Sequence, residues 1–302
     1  MPKSAETGRE ERPREALVAC RVWTSRAGAA RAGLYAIGDC SVKIPEYIIC
    51  PEGCQRTPLP LKPGPWRAGA PGGPTVKLLC LDTSGSAGSI VLSDDDAILG
   101  EINLDSTCTH TARLLSGIQY LLGHSEWTLD DIQAFGVICG PGSFTGVRIG
   151  LTTVKGLAET LERPIVAVTA FEAWVERFPE WQGVMVPMID ARRGEVYAAV
   201  FERRGARLVQ RNPGFVGAPG ELLDALDEET VLFLGGGAQK YRDLVRSKGR
   251  PRWRVAQTDL FLGRALAALA FSRADRGEWT APPDLRAFYL RRPDAEVNWK
   301  GP

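Results

Sequence analysis

An α/β protein of two similar lobes is the fold class this sequence predicts, and three observations predict it. The apolar run Phe135-Gly-Val-Ile-Cys139 meets a glycine-rich turn, Gly140-Pro141-Gly142, and then a helical pattern. Antiparallel strands joined by tight turns open each half of the chain, and in each half an aspartate, Asp82 or Asp190, ends a strand. The second half then repeats the first in diminished form. Each lobe is expected to be a mixed sheet with flanking helices.

The first lobe is expected over 76–180. Its opening run, 76–81, ends in Asp82-Thr83-Ser84-Gly85, and strands at 89–92 and 97–102 flank the acidic turn Asp94–Asp96, giving an antiparallel meander. Leu114, Ile118, Leu121 and Leu122 recur at helical spacing within 109–123. Pro141 and its flanking glycines break the next strand. Ser143 or Thr145 can cap the free amides of the following helix, which carries Val147, Leu151, Val154, Ala158 and Leu161 on one side. A strand at 164–168 and a helix at 171–178 complete the order βββαβα. A strand, a glycine turn and a capped helix form a place where α/β proteins meet anions or partners.

The second lobe is expected over 181–292. Strands at 184–190 and 195–202 form a hairpin through Ala191-Arg192-Arg193-Gly194. A helix at 221–228 precedes the buried strand 231–234, which runs into Gly235-Gly236-Gly237. Helical patterns follow at 239–247 and 260–276, and 293–302 is a short tail.

Residues 1–75 read as foreign to the rest. They are rich in Arg, Ala, Gly and Pro, and no run sustains a period long enough to bury a face. A disordered basic extension is expected, as would arise by translation from a misplaced start codon. It lacks the apolar segment of a secretory signal, and Glu6, Glu10, Glu11 and Glu15 argue against a transit peptide. The 302 residues carry a net charge of +1, so the total does not point to nucleic acid. The first 77 residues hold 12 Lys/Arg against 7 Asp/Glu, and the remainder 25 against 29. No segment reaches the roughly 18 apolar residues of a membrane helix, so a cytoplasmic protein is expected.

Seven cysteines are present, four of them (Cys20, Cys40, Cys50, Cys54) before residue 75. Cys50 and Cys54 have no histidine or second pair to complete a tetrahedral metal set. Cys80, Cys108 and Cys139 fall in or beside core strands and are expected to act as small apolar residues in a reducing compartment.

Two α/β halves with an aspartate at corresponding strand ends resemble the actin/hexokinase/sugar-kinase (ASKHA) superfamily. That resemblance implies a nucleotide cleft between the lobes, with Asp82, Thr83 and Ser84 in one phosphate turn, Asp190 in the other, and Gly235 and Gly236 on the adenosine side. One branch is closer. Asp82-Thr-Ser, the motif loop Gly140, Pro141, Gly142, Ser143, Phe144, Thr145, Gly146 running to Gly150, Asp190-Ala-Arg-Arg-Gly-Glu-Val-Tyr197, and Tyr289-Leu-Arg291 resemble the bacterial TsaB/YeaZ family in order. The resemblance implies a non-catalytic, Gcp-like subunit in the synthesis of threonylcarbamoyladenosine on tRNA. It implies a heterodimer with the paralogue TsaD, which holds the metal and transfers the threonylcarbamoyl group, and docking of the ATPase TsaE on the pair. It leaves open a homodimer of the chain alone and weak ATP or ADP binding in the complex; no cofactor is implied for the chain by itself.

Two enzymatic alternatives place demands on the residue types of this chain. A metallopeptidase needs two histidines about a helical turn apart. This chain has only His110 and His124, about 21 Å apart along one helix, and Leu114 stands one turn beyond His110. A small-molecule kinase needs a glycine-bearing first turn that lets amides approach phosphate, and a carboxylate base. Serine stands at the inner glycine position here, and Asp105 and Asp190 are the candidate bases. No catalytic or metal-binding residue is assigned. A partner surface is expected on the two helices, at Leu114, Ile118, Leu121, Gly146, Gly150 and Val154, with Arg148 and Lys155 as nearby basic residues.

Overall fold

The computed structural model describes residues 19–22, 75–105 and 110–291, with the side chains of 19–22 and 110–113 outside that description. The disordered reading of 1–75 lies outside the described residues except at 19–22 and 75, as do Cys50, Cys54, Cys108, the His110 side chain and the 293–302 tail.

The first sheet has the order β1-β4-β3-β2-β5-β6. Its strands are β1 (Ala19–Val22), β2 (Lys77–Asp82), β3 (Ala87–Asp94), β4 (Ala97–Asp105), β5 (Ala134–Ile138) and β6 (Ile165–Val168). The meander β2–β3–β4 is antiparallel, and β5 and β6 run parallel to β2. The added edge strand β1 pairs with residues 100–103 of β4. β2 and β5 are buried almost without interruption because both faces of the sheet are covered. On one face lie α1 (His110–Ser125) and α2 (Phe144–Leu161).

Thr169 caps α3 (Ala170–Glu176) in a reciprocal box with Glu172. The Thr169 hydroxyl accepts from the Glu172 amide at 3.2 Å, and the Thr169 amide donates to Oε2 of Glu172 at 2.8 Å.

The second sheet repeats the order. β7 (Gly183–Arg192) is its pivot, antiparallel on one side to β8 (Glu195–Ala198) and β9 (Phe201–Arg204), and parallel on the other to β12 (Thr230–Leu234). β13 (Arg252–Val255) continues beyond β12, while β10 (Arg207–Gln210) and β11 (Phe215–Gly217) flank β9 and β8. β7, β8–β9, β10–β11, β12 and β13 thus stand where β2, β3, β4, β5 and β6 stand in the first sheet. The single strand expected at 195–202 is divided because the Val200 amide turns out to Oδ1 of Asn212, at 2.9 Å. α4 (Pro219–Asp224), α5 (Gly235–Lys240) and α6 (Arg242–Ser247) complete this half. The helix expected at 239–247 is two helices meeting at Tyr241, and Gly235–Gly237, expected as a turn, is the first turn of α5.

The halves exchange their last helices. α3 packs against β7, and α7 (Gly263–Asp275) lies across β2, β3, β5 and β6. Between the sheets, Cys80, Phe171, Trp174, Met185, Leu234, Leu266 and Ala270 form one buried core. A Cβ at Gly263 would sit 2.7 Å from the side chains of Ser89 and Val91, so glycine lets α7 approach β3 this closely. Polar links hold α7 in place. Arg264 Nε donates to buried Glu101 at 2.5 Å, and Arg273 pairs with Glu172 and the Ala167 carbonyl.

Burial pushes the Cys80 thiol up to about 12 and the Cys139 thiol to about 11. Iodoacetamide at pH 8 is therefore expected to leave both unmodified in the native protein and to label both in urea, as read by peptide mass spectrometry. Labelling of either in the folded chain would contradict this packing.

Candidate functional site

The first turn, between β2 and β3, is satisfied from within. Oδ1 of buried Asp82 accepts from the Ser84 amide at 2.9 Å and from the Ser84 hydroxyl at 2.7 Å. These are donors that a phosphate would need, and they point at a carboxylate instead.

The motif loop closes onto this turn. The Ser143 amide donates to the Ser84 carbonyl at 2.7 Å, and the Thr83 hydroxyl donates to the Gly146 carbonyl at 2.7 Å. A Cβ at Gly142 would collide with the Ser84 carbonyl oxygen, one at Gly146 with the Thr83 carbonyl oxygen, and one at Gly150 with the Thr83 hydroxyl. The glycines are therefore required by the approach of loop and helix to the turn. The expected cap at Ser143 is present: its hydroxyl accepts from the Gly146 amide at 3.3 Å. Thr145 is exposed and Pro141 is buried.

On the second lobe, Asp190 accepts from the Arg192 amide at 3.1 Å and pairs with Lys240 of α5 at 3.0 Å. The hydrogen bond to Asp190 holds the Lys240 ammonium above its usual pKa. Gly235, at φ +89°, and Gly237 lie against the Met188 carbonyl, where a Cβ would come within 2.7 and 2.8 Å. They serve the close approach of α5 to β7. Leu260 covers Gly236 at van der Waals distance.

Two contacts of the C-terminal segment join the lobes. The Phe288 amide donates to the Cys139 carbonyl at 2.7 Å, and the Phe288 carbonyl sits where a Cβ of Gly140 would be. Three residues on, Arg291 pairs with Glu195 and donates to the Ala191 carbonyl at 3.2 Å. The segment thus runs as a strap from the motif loop to the β7–β8 hairpin. Between those anchors Tyr289 accepts from Arg148 Nε at 3.0 Å, and Arg148 lies 3.7 Å over the ring of Phe144. Sequence reasoning missed this cluster. Its one signal was the motif Tyr289-Leu-Arg291.

A cavity of about 500 Å³ is lined by Thr169, Phe171, Gln210, Arg211, Asn212, Pro213 and Phe288. None of the residues expected to hold nucleotide (Asp82, Thr83, Ser84, Asp190, Gly235, Gly236) lines it.

The partner-surface residues need correction. Leu114, Ile118, Leu121, Gly146, Gly150 and Val154 are all buried, because their helix faces cover the sheet and the first turn. The outward faces of the same helices carry Leu115, Gln119 and Gly123 on α1, and Arg148, Thr152 and Gly156 on α2. Leu115 is 43% exposed, and Gly123 and Gly156 have nothing within 4 Å of a Cβ position. Among the described residues, no cluster of three His, Cys, Asp or Glu side chains could hold a metal ion. The His124 ring stacks on Tyr120 at 4.2 Å.

The repeated sheet order and exchanged helices define a two-lobed protein of the actin, hexokinase and sugar-kinase class. Residues 104–272 match the family model described as TsaD: tRNA N6-adenosine threonylcarbamoyltransferase. The chain is 30% identical over 232 residues to the tRNA threonylcarbamoyladenosine biosynthesis protein TsaB of Bacillus subtilis (strain 168), covering 74% of this chain and 98% of that protein. It is 36% identical over 130 residues to TsaB of Escherichia coli (strain K12), covering 42% and 56%. A solved structure described as YeaZ from Pseudomonas aeruginosa superposes with a TM-score of 0.61 at 28% identity, over 71% of this chain and 100% of that one. The chain belongs to the TsaB/YeaZ family.

Gly146→Ala is expected to destabilise the fold by about 3 kcal/mol, since the added methyl meets backbone that cannot retreat. Gly156→Ala, on an open helix face, is expected to stabilise it by about 0.5–1 kcal/mol. Urea midpoints of the two variants check both signs.

Proposed function

We propose that this chain is a non-catalytic accessory subunit in the synthesis of threonylcarbamoyladenosine on tRNA. It pairs with TsaD in the cytoplasm as a heterodimer, TsaE docks on that pair, and tRNA is engaged by the assembled complex. The observation that carries this reading is the closure of the first turn by the chain's own motif loop. A kinase of this architecture leaves such donors to phosphate; here Asp82 takes the Ser84 amide and hydroxyl, and the Gly146 carbonyl of the motif loop takes the Thr83 hydroxyl. The chain alone therefore acts without a cofactor, and a nucleotide held weakly in the complex would use other groups.

Family membership supports the pathway, and the outward faces of α1 and α2 support the pairing. Exposed Leu115 supplies apolar area, and the open surface at Gly123 and Gly156 lets a second helix pair approach the backbone closely. The same face would carry a homodimer when TsaD is absent. No helix among the described residues is long and apolar enough to cross a membrane.

Leu115→Asp and Gly156→Trp are each expected to cut capture of TsaD by about tenfold or more while the thermal midpoint of the isolated chain stays within a few degrees. Undiminished capture by both folded variants would remove α1 and α2 from the interface. Cells lacking the gene are expected to lose the modified nucleoside and regain it with the wild-type chain. Turnover of ATP by the isolated chain would favour the kinase alternative instead.

A further inference from the structure

The strap brings together groups that lie far apart in the sequence. Arg148 is stacked on Phe144 and bonded to Tyr289, and the Phe144 and Tyr289 rings lie 5.2 Å apart. Phe144 and Tyr289 are 39% and 38% exposed, two of the five exposed large apolar or aromatic residues among those described. Two residues beyond Tyr289, within at most about 7 Å of extended chain, Arg291 is anchored to the β7–β8 hairpin. The hairpin tip presents Arg192 and Arg193, both exposed and both in the left-handed region, at φ +62° and +53°. Arginine adopts that backbone only where its surroundings impose it. Here the Asp190 carboxylate holds the Arg192 amide and fixes the tip.

Charge along the strip is positive. Lys240 matches Asp190 and Arg291 matches Glu195, so these carboxylates leave Arg148 and Arg192 to a ligand.

We propose that Phe144, Arg148, Tyr289 and the Arg192 hairpin tip form a contact surface for single-stranded RNA. Under the function proposed above, on which this inference rests, that RNA is the anticodon loop of the tRNA. Unpaired bases stack on aromatic rings and on guanidinium planes, and arginines beside them meet the phosphates. The strip offers both within a few residues of strap. An acidic protein would engage the arginines but give the two exposed rings no role, so RNA is the better fit.

The test uses the full chain assembled with TsaD, and tRNA binding read by fluorescence anisotropy at two salt concentrations. Arg148→Glu and Arg192→Glu are each expected to weaken tRNA binding about tenfold and to lower the log–log salt slope by about one. Phe144→Ala is expected to weaken binding with the salt slope unchanged, as loss of stacking should. Capture of TsaD by Phe144→Ala and Arg192→Glu is expected to match the wild type, whereas Arg148 also lies on the α2 face proposed for TsaD, so Arg148→Glu is read in assemblies that retain TsaD. Wild-type tRNA affinity in all three variants, with TsaD captured, would overturn this inference and leave the proposed function standing. Loss of TsaD capture with tRNA binding retained would make the strip a protein interface and overturn it as well. Failure of the wild-type chain itself to capture TsaD would overturn the underlying function, and this inference with it.

Discussion

Gly142 and Gly146 let backbone meet backbone at the first turn, Gly150 admits the Thr83 hydroxyl, and the motif loop on which the strap is seated is held by these contacts. With any side chain at Gly146 the start of α2 would be driven off Thr83, and the Thr83–Gly146 and Ser143–Ser84 hydrogen bonds would be lost together. Gly140 extends the same logic to the strap, because its open face receives the Phe288 carbonyl. The motif loop is thereby clamped between the first turn on one side and the chain's own C-terminal segment on the other.

This clamp changes what an actin-like architecture can do. In a phosphotransferase of this class the lobes must close on nucleotide, and the turns must keep their amides available. Here Arg264 and Arg273 pin α7 to the first lobe, and Arg291 ties the strap to the second. Each link opposes opening of the lobes. The exposed helix faces and the arginine–aromatic strip lie on a surface held at fixed geometry, as the proposed accessory role requires.

Much of this was legible in the sequence. Helical spacing located α1 and α2, and the meander followed from short apolar runs with acidic and glycine turns. The duplication was visible because each half repeats strand and aspartate in order. Spacing also showed which residues are apolar, but not that Leu114, Ile118 and Leu121 would all be used by the chain's own sheet. β10, β11 and β13 were not legible: they are half-exposed strands without a clear apolar alternation, and backbone pairing defines them. Gly235–Gly237 read as a turn because glycine disfavours helix, yet contact with the Met188 carbonyl outweighs that preference. In the Phe144–Arg148–Tyr289 cluster, Arg148 and Tyr289 stand 141 residues apart in sequence and meet only through the strap.

Amide hydrogen exchange at Ser84 and Ser143 tests the closed first turn most directly. Both amides should be strongly protected in the isolated chain, with no change when ATP and magnesium are added. Rapid exchange at these two positions, slowed only by nucleotide, would show an open phosphate turn and contradict the account.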